Sequence, residues 1–137
     1  MSLNLTLYWM GRDSKYRGDL TLAIRANAAD LLDRVNRLVG GAKLILPDSG
    51  ALYSPVHSGW RPPVINAATP HASPHSHHMT GQAIDLHDPH GDLDSWCLAH
   101  PDSLAAVGLW QESPESTPGW CHLQSVAPAS GHRVFIP

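Results

Sequence analysis

Residues 21–39 carry the most regular apolar stripe in the chain. Ile24, Ala28, Leu31, Val35 and Leu38 return at three- and four-residue steps, which lines up side chains on one face of a helix. Asp19 or Thr21 can cap its start, and Gly40-Gly41 supplies the stop. Such a helix is a scaffold: its apolar face must be buried, and the rest of the chain has to supply the partner. That remainder is built from short pieces, because the 137 residues include 11 Gly and 12 Pro. The length is that of one domain, residues 1–137, with room for a core that needs no staples.

Several short elements are expected. Residues 43–47 and 53–57 read as extended pieces around an Asp48-Ser49-Gly50 turn. Residues 62–68 read as a short helix with proline in its first turn. Gln82-Ala83-Ile84-Asp85-Leu86 alternates as a strand does, with Ala83 and Asp85 on one side. A second helix is expected over 92–106, broken or kinked at His100-Pro101, with Leu93, Trp96, Cys97, Leu104 and Val107 inside. Residues 109–112 and 120–124 read as strands joined by the Pro-rich segment 113–119. The sum is an α+β fold, a small and mostly antiparallel sheet with flanking helices.

Composition narrows the function. Charged residues are 15% and hydrophobic residues 42%, which excludes a disordered chain. A net charge of −3 without a Lys/Arg run leaves no electrostatic footprint for nucleic acid. Two cysteines, Cys97 and Cys121, lie far apart and read as reduced thiols. Residues 1–9 lack a basic start followed by a long apolar run, so no signal peptide and no membrane insertion are expected. The expectation is a monomer made in the cytoplasm, whose substrate, if external, is reached by other means.

Ten histidines in a chain so poor in charge raise the question of a metal. A catalytic zinc takes three rigid N or O ligands and leaves one position for water. His78 stands before the Thr80-Gly81 turn and Asp85 on the strand after it, so the two can converge. His122, in the late strand beside Trp120 and Cys121, is the best third ligand. Cys121 itself should face away from the metal, since adjacent strand residues point to opposite faces.

Three motifs in order carry a resemblance. Ser76-His77-His78-Met79-Thr80-Gly81-Gln82-Ala83-Ile84-Asp85 matches S-x-H-x-x-G-x-A-x-D. Ser58-Gly59-Trp60-Arg61 is similar to S-G-[YW]-R, and Trp120-Cys121-His122 matches W-x-H. Over about residues 56–124 the chain thus resembles the zinc D-Ala-D-Ala carboxypeptidase family. That group includes vancomycin-resistance dipeptidases and phage endolysins, with Hedgehog signalling domains as distant relatives. The opening Tyr8-Trp9-Met10-Gly11-Arg12-Asp13 and the closing segment 131–137 look like small phage or prophage members.

The resemblance implies a Hedgehog/DD-peptidase-like fold, zinc held by His78, Asp85 and His122, and substrate handled by Arg61 and Ser76. Arginine suits that role because its planar fork grips a carboxylate with two parallel hydrogen bonds. The implied activity is hydrolysis of the peptidoglycan stem peptide, either as a carboxypeptidase or as a lytic endopeptidase reaching the wall through a holin-type release.

The general base departs from the family pattern. Many relatives place an acidic residue three positions before the last His ligand, where this chain has Gly119; others place a His two before it, where this chain has Trp120. The only glutamates, Glu112 and Glu115, both lie just upstream of His122. On a hairpin, Glu112 ends the strand beside His122 and is the favoured base; Glu115 reads as solvated, and Asp88 as a cap, a turn residue or a partner of the site. The empty slots also motivate an alternative, a non-catalytic metal-binding module. His71, His75 and His77 read as solvated, His57, His100 and His132 as structural, and His87 and His90 as possible neighbours of the site.

Overall fold

The computed structural model describes residues 2–47 and 54–137. The striped segment is α3 (Leu22–Gly41). Thr21 caps it, its hydroxyl accepting from the Ile24 N–H at 3.1 Å. The helix runs through both glycines before closing at Ala42. Lys43 then takes a left-handed conformation (φ 54°), and the Leu44 N–H returns to the Val39 carbonyl at 2.9 Å. Residues 44–47 are therefore not the expected strand; they follow a chain reversal that satisfies the carbonyls at the helix end. The Asp48-Ser49-Gly50 turn and Tyr53 lie outside the described residues.

Among the described residues five strands form one sheet: β1 (Val56–Ser58), β2 (Ala83–His87), β3 (Trp110–Glu112), β4 (Trp120–Gln124) and β5 (Val134–Phe135). Their order is β1-β2-β4-β3-β5, antiparallel throughout except for the parallel β3–β5 pair. With its helices this is the expected α+β class. The two-residue β5 has no alternation to announce it; it exists because β3 offers a free edge, where the Ser113 N–H reaches the Phe135 carbonyl at 2.7 Å. The 113–119 connection contains a 3₁₀ turn, Pro114–Ser116.

The remaining helices are short: α1 (Leu5–Trp9), α2 (Arg12–Lys15), α4 (Pro63–Ala68), α5 (Asp92–Ala99) and α6 (Pro101–Val107). Pro101 ends one helix and opens the next, as a residue without an N–H must. Asp88 caps α5, its carboxylate accepting from the Leu93 and Asp94 N–H groups at 3.1 and 2.9 Å. Alternate sheet residues Ile84, Leu86, Cys121 and Leu123 join Leu31, Val35 and Leu38 of α3 in one buried cluster. Full burial of each such aliphatic side chain contributes roughly 1.5–3 kcal/mol. The opposite face of β2 and β4 is thereby left to Ala83, Asp85 and His87 and to Trp120, His122 and Gln124. Among the described residues, no helix is long and apolar enough to cross a membrane.

Candidate metal centre

The β2–β4 pairing sets Asp85 directly opposite His122. Because successive strand residues alternate faces, burying Ile84 and Leu86 in the core turns Asp85 the other way. His78 reaches the same place from the turn before β2. Gly81 makes that turn with φ +77°, and a Cβ there would lie 2.7 Å from the Ile24 carbonyl oxygen, so α3 itself demands a glycine. His78, Asp85 and His122 are all buried, and one ligand atom from each lies within 4.8 Å of the others. The two imidazoles meet edge to face at 5.4 Å. The three form a group able to hold a metal ion.

The outer partners identify the ligating nitrogens. His78 Nδ1 lies 2.9 Å from the Gly59 carbonyl oxygen, which only accepts, so Nδ1 carries the proton and Nε2 faces Asp85 Oδ2 at 3.3 Å. For His122 the logic runs through Gln124. Its Nε2 donates to the Val126 carbonyl at 2.8 Å, which orients its Oε1 toward His122 Nε2, also at 2.8 Å. His122 Nε2 is therefore a donor, and Nδ1, 2.8 Å from Asp85 Oδ1, is the metal-facing atom. Partners of this kind fix ring orientation and tautomer in metal sites. The donor set and its supports fit a divalent cation.

Electrostatics agree with a site built for positive charge. Burial would raise the Asp85 pKa, but without a metal the adjoining His78 and His122 rings, in their protonated forms, outweigh it and hold the carboxyl far below its usual range. Burial pushes His78 down, only partly opposed by Asp85. Burial also works against the charged form of His122, yet Asp85 and Gln124 more than reverse this and raise it.

Glu112 stands beside the group, next to His122. The β3–β4 register pairs Gln111 with Leu123, which continues to Glu112 beside His122, and Glu112 Oε2 lies 3.7 Å from His122 Nδ1. Burial raises its pKa, with His122 opposing and Asp85 adding to the rise. Glu115 is exposed on the 3₁₀ turn. On the core side of β3, Gln111 Nε2 donates to Asp94 Oδ1 at 2.8 Å and Thr117 Oγ1 donates to Asp94 Oδ2 at 2.9 Å. That buried network clamps β3 and the following loop, and so positions Glu112.

Arg61 and Ser76 come together as a pair, Nη2 donating to Oγ at 3.0 Å. Ser76 Oγ also accepts from the His78 N–H at 3.2 Å, which couples the pair to the ligand. Arg61 and Asp85 open onto a cleft of about 300 Å³, bordered also by Arg12, His57, Ser58 and Trp120. A second cleft, about 250 Å³ at the end of α3 beside Ser2, Asn36 and Lys43, holds none of these groups.

The other expectations sort as follows. Cys121 is fully buried on the core face, near Cys97, as strand alternation requires. His71 and His75 are exposed, and His77 is half-buried. Asp88 is a cap. His87 lies opposite Trp120 at the end of β2, and His90 is exposed. His100 and His132 lie at the surface. His57 is exposed, stacks on Trp120 at 5.5 Å and borders the cleft. Sequence reading also missed Arg12 and the Gly59 carbonyl, whose partners Trp60 and His78 lie far along the chain, and Gln124, whose partners His122 and Val126 are each two residues away and which only the W-x-H-x-Q spacing could have marked. Comparison with protein-family models, with characterised proteins and with solved structures returns no match.

Proposed function

We propose that this chain is a zinc peptidase acting on the stem peptide of bacterial peptidoglycan, with a Hedgehog/DD-peptidase-like fold. The observation that carries the reading is the convergence of His78, Asp85 and His122 with a carboxylate, Glu112, 3.7 Å from the metal-facing nitrogen of His122. A structural metal site is closed by its ligands, whereas a hydrolytic one has a base beside an open position. Bound zinc would supply Lewis acidity toward a carbonyl and make water acidic enough to lose a proton near neutral pH.

The protein's own groups supply the rest. Glu112 accepts the proton of the attacking water and returns it to the leaving amine; its raised pKa brings it nearer the range in which both transfers are favourable. Arg61, braced by Ser76, holds the substrate's carbonyl or carboxylate. His78 and His122 stay oriented through Gly59 and Gln124. Lysis by a phage or prophage enzyme is the setting that the motif resemblance suggests.

The test is mass analysis of muropeptides after digestion of purified cell walls by the zinc-loaded protein. Loss of a single D-Ala marks a carboxypeptidase, and a cut inside the stem marks an endopeptidase. Intact muropeptides with a full complement of zinc would leave the non-catalytic metal-binding module.

A further inference from the structure

Two guanidiniums border the cleft, and the proposed peptidase chemistry uses only one. Arg12, the first residue of α2, is half-buried and donates from Nη1 to the Trp60 carbonyl at 2.8 Å, which ties it to the residue before Arg61. Burial lowers the pKa of Arg12, and the neighbouring charge of Arg61 lowers it further. Among the described residues, neither arginine forms a salt bridge; the ion pairs there belong to Arg34, Arg37 and the two ligand histidines. Asp85 borders the same cleft but is committed to His78 and His122. Arg61 Nε is buried without a hydrogen-bond partner.

Like charges set close together and partly stripped of water are unfavourable unless an anion joins them. Asp85 and Glu112 favour the charged form of Arg61, and a divalent cation at the nearby centre would offset those carboxylates. The guanidinium fork matches a carboxylate in shape as well as charge, and the stacked rings of His57 and Trp120 offer the cleft a flat wall beside it.

We infer that Arg12, together with Arg61, forms an anion subsite in this cleft, and that its ligand is a short peptide bearing a free carboxylate on the part that enters. That the ligand is a peptide rests on the peptidase reading; the preference for an anion rests on the two guanidiniums alone.

The experiment is calorimetric titration of the zinc-loaded full chain carrying Glu112→Gln, so that the probe stays intact, with N-acetyl-L-alanyl-D-glutamate and with its diamide. The dicarboxylate should bind at least about tenfold more tightly, the scale of one charge-assisted contact. Adding Arg12→Gln should cut that preference to about threefold or less, and Arg12→Lys, which keeps the charge without the fork, should fall between. The ratio is the readout, because losing the tie to Trp60 would weaken both probes alike. If Arg12→Gln does not fold, Arg12→Lys decides. Equal binding of the two probes, no binding of either, or an undiminished preference in the Arg12 variants overturns the subsite. Digestion of cell walls, scored in parallel with the unmodified chain, separates the two proposals. Cut walls with no carboxylate preference remove the subsite alone, and uncut walls with a clear, Arg12-dependent preference remove the peptidase alone.

Discussion

The side-chain carbonyl of Gln124 accepts from His122 Nε2 at 2.8 Å, and the amide at the other end of the same side chain is held by the Val126 carbonyl, also at 2.8 Å. Two residues along β4, one side chain thus decides which nitrogen of His122 faces the candidate metal site. Gln124→Leu keeps the bulk and removes the acceptor. Metal affinity should fall about 10–100-fold, read by competition with a chelator. Nitrogen NMR of the metal-free variant should show His122 losing its uniform Nε2 protonation. An unchanged affinity would count against Nδ1 as the ligating atom.

Glu112 is the base in this mechanism, so Glu112→Gln should slow release of muropeptide products by about 10²–10⁴-fold while bound zinc stays at wild-type stoichiometry. Glu115→Gln, changing an exposed group on the 3₁₀ turn, should leave the rate within about twofold, as surface substitutions usually do. Equal losses in the two variants would remove Glu112 from its role.

The response to pH follows from opposite shifts in one pair. In the metal-free protein His122 lies above its ordinary 6.5 and Asp85 below its ordinary 3.8. The stabilisation from raised His122 is complete below 6.5 and is lost as pH rises through its folded value. The stabilisation from lowered Asp85 is complete above 3.8 and is lost as pH falls through its own folded value. Urea unfolding of metal-free protein should therefore show the pair's contribution at full strength between those limits. Metal binding must displace the His122 proton, so zinc affinity should already be declining above pH 6.5 as acid is added. An affinity flat from pH 8 down to about pH 5 would contradict the ligand assignment.

Gly59 has no room for a side chain. A Cβ there would fall 1.9 Å from the Tyr8 carbonyl oxygen, the same oxygen that accepts from the Trp60 N–H at 3.2 Å. Gly59→Ala should cost about 3 kcal/mol, the upper part of the usual overpacking range, by urea unfolding. It should also weaken metal binding, because the displaced Gly59 carbonyl holds His78 Nδ1. Full stability in this variant would show that α1 yields more readily than its packing implies.

Much of the scaffold was legible because its signals are local. The α3 stripe, the Thr21 cap, the break at Pro101 and the alternation of β2 and β4 each depend on residues within a few positions of one another. The alternation also settled that Cys121 turns away from the metal. Features made by distant partners were not legible. The two-residue β5 has no period, and α1 and α2, at five and four residues, are too short to show one. The segment after α3 had the composition of a strand but was claimed by the carbonyls of the helix end.

The division at the site has the same cause. Residue types and spacing, read together with the motif resemblance, nominated His78, Asp85 and His122 as ligands and Glu112 as their neighbour, because strand alternation and a glycine turn are properties of adjacent residues. For His122 the choice of nitrogen falls to Gln124 two residues away, whereas which nitrogen of His78 faces the candidate metal site, and that Arg12 stands at the cleft with Arg61, were decided by tertiary structure. Those relations join Gly59 to His78 and Trp60 to Arg12 across long stretches of chain, and no local pattern encodes a hydrogen bond whose two ends meet only when the sheet and helices have packed.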